Sequence, residues 1–473
     1  MEIVLTCSVA TIESALLTAL VPLGHRVVLV GGSDKEDVAA RWPIAVTALD
    51  AERAALLPAD VAIVVDARVA LRTGVGTVAM PEPAGTTYRA RRNLFVDPHE
   101  AQAVALRDTS MRLVVDAVYG PGVPSEDLVS GLLAMVRSVP VVPTLPGSKI
   151  PFAPVFAADL ARVVAAALET SDADWSDEHV LRGRETTTLE GLVDAVAELA
   201  KKRPLRVPLP AFLEGVGSSL LHLFGVRLAS PDPAALERLH ASLDDMSAPD
   251  GFAAFGVVPT PLRDALVQLS AGLPEQRAAE GYGALEHKRF WVDIRKSAFA
   301  PEPLLEHFRA EAAEILPIEF DVEHGYDGAM VVRGRSLTAA LPGRGHIQMR
   351  VEETLPRRVT FATVQGHPVA GVVRFMTEAR GDVVRFIVEV FARSGSPFDF
   401  VALKAGGAAL QNLTWATVCK RMLERSAGES EAGVEHVFEH LDEAEAHRTE
   451  AWIESVIVRR ERDEHAALAI CAT

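Results

Sequence analysis

Cysteine, tyrosine, basic charge and uninterrupted apolar sequence are all scarce in this chain of 473 residues, and each scarcity excludes something. Cys7, Cys419 and Cys471 are too few and too far apart for a zinc knuckle or a disulfide scaffold, which points to a reducing compartment, the cytoplasm. No stretch reaches the roughly 18 uncharged apolar residues of a membrane span. The apolar start does not read as a signal peptide either, because Glu2 stands in place of a basic n-region and Glu13 breaks the run. Lys and Arg number 47 against 64 Asp and Glu, a formal net charge of -17, so nucleic acid is not an expected partner. Among fourteen histidines there is no HExxH, and neither a GxSxG elbow nor a P-loop occurs.

What is present is a folded composition, 49% hydrophobic and 23% charged, with length for about two to four domains. Ile3, Val4 and Leu5 form a short buried-strand run. Ile12, Leu16, Leu17, Leu20 and Val21 follow at helical spacing, Gly24 marks the helix end, and Val27 to Val30 is a second apolar run. This is a β-α-β unit, and its first turn is where a dinucleotide-binding domain sets its glycines. This chain has none there.

Read with the segments that follow, the chain resembles the extended short-chain dehydrogenase/reductases, in the atypical branch related to nucleoside-diphosphate-sugar epimerases and a respiratory complex I accessory subunit. That family reads TGxxGxxG across the turn. Thr6 matches, and the glycine positions fall on Cys7, Ala10 and Glu13. The resemblance implies an α/β Rossmann-like, doubly wound parallel sheet over residues 1–275, with 151–275 its substrate-side half, and it implies NAD or NADP. The residues argue against the cofactor. Cβ atoms at Cys7 and Ala10 fill the space where backbone N–H groups would approach a pyrophosphate. The Glu13 carboxylate adds repulsion of about 4 kcal/mol, for unit charges 4 Å apart at an effective dielectric near 20. Asp34, in Gly31-Gly32-Ser33-Asp34, stands where the family chooses between a ribose hydroxyl and a 2'-phosphate; it reads either as a ligand contact or as a turn aspartate.

The family's YxxxK pair is also missing. A third strand spans Val61 to Val65, and only 47 residues separate Val65 from the next apolar strand, Leu113 to Val115. DAVYGPG, Asp116 to Gly122, resembles the family's RPxxVYGPG, and counting back from it puts the tyrosine and lysine near Arg92 and Val96. Of the tyrosines Tyr88, Tyr119, Tyr282 and Tyr326, only Tyr88 has a basic residue four places on, Arg92, whose geometry and pKa differ from a lysine's. Tyr88 to Arg92 reads either as a basic surface loop or as a catalytic relic. Phe152 to Leu168 is similar to the family's PVHVDDVARAIVAAL, with Phe156 in place of the histidine and Asp159 alone kept of the acidic pair. Thr188 is placed to cap a helix carrying Leu192, Val193, Val196 and Leu199, and Phe212 to Val226 reads as an amphipathic core helix.

Gly272 to Leu285 mixes Gly, Pro and charge as linkers do. Beyond it come a strand from His287 to Lys296, a helix from Pro303 to Ile315, and alternating strands at Ile347 to Val351, Arg358 to Val364, Val372 to Thr377 and Val383 to Ala392. A long helix from about Phe398 to Arg425 follows, with Leu410, Leu413, Val418 and Met422 among its apolar positions. Gly366-His367-Pro368, Gly371, Arg374, Phe375 and Phe391-Ala392-Arg393-Ser394 resemble the START/polyketide-cyclase (SRPBCC) superfamily, in an uncharacterised bacterial family. The resemblance implies an α+β helix-grip domain over 286–428, with an antiparallel sheet and a long C-terminal helix. Residues 429–473 read as a charged tail with a helical middle, whose Trp452, Ile453, Val456 and Ile457 form a docking stripe.

Such domains hold apolar ligands between sheet and helix. Phe361, Phe375, Phe386, Val388 and Trp415 then either line a cavity or fill the core. His346 and His367 are either its polar groups or turn histidines. His436, His440 and His447 with Glu443 come closest to a metal site, on what reads as a helix face; no metal is expected. The leading expectation is non-redox binding of a small hydrophobic or lipid-like molecule, with an oligomer compatible. The alternatives are an NAD(P)-dependent oxidoreductase or epimerase with an altered cofactor pose, and a cofactor-free cyclase or lyase with His346 or His367 as general base.

Overall fold

The computed structural model describes residues 1–66, 69, 89–97, 109–115, 117–122, 128–138, 141–144, 148–171, 175, 178–208, 240, 249–317, 319–320, 331–341 and 345–470. Tyr88, Cys471 and the 212–226 segment lie outside them.

The first sheet is built from β1 (Glu2–Cys7), β2 (Arg26–Val30), β3 (Val46–Leu49), β4 (Ala59–Val65), β5 (Ala90–Asp97), β6 (Ser110–Val115) and β10 (Glu178–Leu181), in the order β10-β6-β5-β4-β1-β2-β3. Every pairing is parallel. The order reverses between β1 and β4, the switch point of a Rossmann-like sheet. Ile3, Val4 and Leu5 are fully buried because β1 is central and covered on both faces. Among the described residues this part also holds helices α1 (Ala10–Leu20), α2 (Ser33–Arg41), α3 (Ala51–Leu56), α4 (Leu128–Ser138), α5 (Ala157–Leu168), α6 (Leu189–Leu199), α7 (Gly251–Ala254) and α8 (Leu262–Ala271). Thr188 caps α6, its hydroxyl accepting from Gly191 N at 3.0 Å. Two short parallel pairs, β7 (Val118–Tyr119) with β9 (Val155–Phe156) and β8 (Val141–Thr144) with β11 (Leu205–Pro208), form separate two-stranded sheets.

The second sheet is antiparallel and has eight strands: β12 (Tyr282–Arg295), β13 (Glu319–Phe320), β14 (Ser336–Leu341), β15 (Gly345–Leu355), β16 (Arg358–Thr363), β17 (Val369–Arg380), β18 (Val383–Ser394) and β19 (Val434–His440), in the order β13-β14-β15-β16-β17-β18-β12-β19. Alternation sends Phe290, Val292 and Ile294 of β12 and Phe386, Val388 and Val390 of β18 to one face. There they meet α9 (Pro301–Ala310), α10 (Ala312–Ile315) and α12 (Ala408–Arg425). Gly371 is required where β17 crowds β18, since a Cβ there would fall 2.1 Å from the Phe391 carbonyl oxygen.

Three readings of this region are corrected. The long helix is interrupted: α11 (Pro397–Ala402) passes through a π-wound turn, Leu403–Gly407, into α12, with Gly406 at φ 130°. Of its apolar positions, Leu410 and Leu413 are exposed, and Val418 and Met422 are buried. The C-terminal segment is no tail, because β19 pairs with β12 and α13 (Glu443–Ile470) packs on the outer face of the sheet through Ile453 and Ile457. His436 and His440 therefore sit on a strand, not a helix, and among the described residues no cluster of His, Cys, Asp or Glu has metal-site geometry. No described helix is long and apolar enough to cross a membrane.

Helix α13 also spans to the first part. Arg41 binds Glu461 at 2.9 Å and Glu454 at 3.1 Å, and the Trp42 ring stacks on His465 at 3.8 Å.

Candidate functional site

At the first turn, Cys7 ends β1 and is buried, Ala10 opens α1 at the surface, and Glu13 is 2% exposed. Glu13 is not the unscreened anion its position suggests. Lys35, in the first turn of α2, places Nζ 2.6 Å from its Oε2, and both side chains are closed to water. The stem of Lys35 lies flat on Gly31, where a Cβ would fall 2.4 Å from Lys35 Cγ. The turn is thus occupied by a neutralised internal pair, which corrects the repulsion argument. Glycines have moved to the facing loop: a Cβ at Gly122 would fall 1.9 Å from Thr11 Oγ1, and one at Gly120 3.1 Å from Thr11 Cγ2. That loop sits directly on the start of α1. Asp34 points into solvent beside Lys35.

The remaining reductase-like positions make contacts within the fold. Arg92 and Val96 lie in β5 rather than in a loop or helix. Val96 is core, and Arg92 donates to the Leu168 carbonyl at 3.3 Å with its guanidinium 5.0 Å from the Trp175 ring. Phe156 packs on Tyr119, and Asp159 ties α5 to Thr260, accepting from its N–H and its hydroxyl at 2.7 Å each.

In the second sheet, Phe361, Phe375, Phe386, Val388 and Trp415 pack against one another and against Phe308: Phe375 lies 4.4 Å from Phe308, 5.6 Å from Phe361 and 6.1 Å from Trp415. His346 is on the opposite face of β15 from Ile347, Met349 and Val351, on the side of Gln348 and Arg350. That side faces the first part of the chain. Arg137 of α4 donates to Gln348 Oε1 at 3.0 Å and to Ser270 Oγ at 2.7 Å, and burial lowers its pKa to about 10. His367 accepts from Val369 N at 3.0 Å within its own turn. The structure does not bring the two histidines together with the five apolar residues.

The same outer face carries a buried ion network. Arg350 reaches Glu275 at 2.5 Å, and Arg460 of α13 reaches Glu275 and Glu352 at 2.8 Å each. Burial works against the Glu275 carboxylate, but Arg350 and Arg460 outweigh it and hold its pKa below the ordinary range. Burial, together with the charge of Glu275, pushes Glu352 up to about 8 against the pull of Arg460.

A cavity of about 240 Å³ opens where two irregularities face each other. In β12 three residues stand between Tyr282 and Glu286 opposite the single Arg393 of β18, a bulge, and across from it lies the π-wound turn after α11. Val369, Val390, Ala392, Phe400, Leu403 and Ala408 supply apolar lining, and Lys288, Gln411 and Glu286 polar groups. Lys288 was missed in the sequence, yet its signal was there: it shares the inward register of Phe290, Val292 and Ile294, a cation in an apolar series.

No protein-family model matches the chain and no curated protein matches it. Solved structures with a similar fold include a nucleoside-diphosphate-sugar epimerase from Staphylococcus aureus, 14% identical, covering 57% of this chain and all of that one, with a TM-score of 0.37. Others are a UDP-glucuronic acid 4-epimerase from Bacillus cereus (13% identity, 57% and 99% covered, TM-score 0.36) and a UDP-glucose 4-epimerase from Thermotoga maritima (14% identity, 57% and 97% covered, TM-score 0.34). The likeness concerns the Rossmann-like fold, and no chemistry follows from it.

Proposed function

We propose that this chain binds a small, largely apolar molecule between its antiparallel sheet and the α11–α12 segment, without redox chemistry, and that its Rossmann-like part serves as scaffold. The observation that carries the reading is the cavity itself: an apolar patch of Val369, Val390, Ala392, Phe400, Leu403 and Ala408 beside charged and polar side chains, opened by a strand bulge and a helix interruption. The cavity lies between sheet and helix, as the helix-grip resemblance of residues 286–428 implies for a ligand, but Phe361, Phe375, Phe386, Val388 and Trp415 fill the core and do not line it. At about 240 Å³ it has the liquid volume of about eight waters at ~30 Å³ each, which suits a compact ligand. The paired Glu13 and Lys35 support the other half, since they stand where a dinucleotide phosphate would need open backbone.

Calorimetric titration of the full chain with octanol tests the reading. Saturable binding that disappears in Ala408→Trp, which fills the cavity from α12, is expected. Equal binding by the variant and the native chain would contradict it.

A further inference from the structure

The sign of charge around this cavity runs against that of the chain. The protein carries -17 overall, yet the cavity is lined by Lys288, Arg393 and Lys404 against the single carboxylate of Glu286. These cations are not equally committed. Arg393 donates to Glu450 Oε1 at 2.5 Å, which neutralises it from the outer face. Lys404 has no carboxylate partner among the described residues; its ammonium lies 4.3 Å from the centre of the Phe400 ring.

Lys288 is the informative one. Its side chain is only 10% exposed, a costly place for an ammonium, and it is held by a neutral acceptor, Gln411 Oε1 at 2.8 Å, and by Glu286 at 3.0 Å, a residue itself 44% exposed. Glu286 can turn to water without burying a charge, and its place can then be taken by another anion.

From this we infer that the cavity selects a ligand with one anionic head, a medium-chain carboxylate in its simplest form: the head is held by Lys288 and Lys404, and the tail lies on Val390 and Ala392. The inference rests on the cavity reading above and adds the chemistry of the head group. An ammonium to carboxylate hydrogen bond is among the stronger ones, and Gln411 fixes the direction of the Lys288 stem.

The test compares octanoate with octanol, of equal chain length, by calorimetric titration of the full chain and of Lys288→Met and Lys404→Ala. Octanoate is expected to bind about tenfold tighter than octanol. Lys288→Met should abolish the preference and bring octanoate down to the level of octanol in the same variant. Lys404→Ala, at an exposed position, should reduce octanoate a few-fold, and it keeps the test open if Lys288→Met does not fold. Equal affinity of the native chain for both ligands overturns the anionic head while the cavity reading stands. Binding of neither overturns the cavity reading, and the inference with it. An octanoate preference that survives both substitutions overturns the assignment to these lysines.

Discussion

Lys35 and Glu13 meet at 2.6 Å across the first turns of α2 and α1, both out of contact with water. The pair pins the starts of two helices together over the carboxyl end of β1, the crevice in which an open α/β sheet of this order accepts a ligand. On the function proposed above, the obstacle to a dinucleotide is occupancy, with charge balanced inside the fold.

Removing one partner strands the other. Glu13→Leu or Lys35→Met alone is expected to cost about 3–5 kcal/mol, and the double substitution much less. Chemical denaturation of the three variants measures this. Additive losses would contradict the pairing.

Loss of Glu13 is not expected to create a cofactor site, because Cys7 and Ala10 retain their Cβ atoms and the Gly120 to Gly122 loop still rests on Thr11. NADPH fluorescence should be unquenched by Glu13→Ala at micromolar concentrations. Quenching at that level would show that one side chain was the whole barrier.

The network under α13 sets a pH dependence. The folded-state pKa of Glu352, about 8, lies above its ordinary 4.5, so the stability it contributes is present below 4.5 and is lost as pH rises toward 8. Glu275 has the opposite sign: its pKa is lowered, and its contribution is lost as pH falls through the folded value. Melting temperatures of Glu352→Gln and the native chain should therefore diverge between about pH 5 and 8, with the variant the more stable at the upper end. Parallel curves would contradict the raised pKa.

Much of the fold was legible in periodicity. The central strands announce themselves by runs such as Ile3 to Leu5, and β12, β17 and β18 by alternation, because those patterns report burial directly. In the C-terminal segment the docking stripe of Ile453, Val456 and Ile457 was legible, but the ion pairs that hold it were not, for a physical reason. Arg460, Glu461 and Asp463 look like a solvated face, but their partners, Glu275, Arg41 and Arg333, are more than a hundred residues away in sequence. The Glu13–Lys35 pair joins residues only 22 apart, but which side chains meet there is set by how α1 and α2 sit at the sheet, and a bulge paired with a helix interruption has no linear signature. His346 lies near the start of β15, and its face is set by the register of that strand.

Truncating Arg460 should therefore act on the whole assembly. Arg460→Ala leaves Glu275 with one guanidinium and Glu352 with none within hydrogen-bond reach, and a loss of about 3–5 kcal/mol is expected in denaturant titrations. A loss under about 1 kcal/mol would show that α13 docks through Ile453 and Ile457 alone.

Cys419 offers an independent probe of the second core. Burial pushes its thiol up to about 12, so an aromatic disulfide reagent should label it only after unfolding. Rapid labelling of Cys419 itself, located by peptide mapping, in the native chain at neutral pH would place it outside the core.

The most direct measurement is native mass spectrometry of the freshly purified full chain beside Ala408→Trp. The account predicts a small organic adduct on the native chain that is not a nucleotide and is missing from the variant. A nicotinamide dinucleotide retained by both proteins would contradict it.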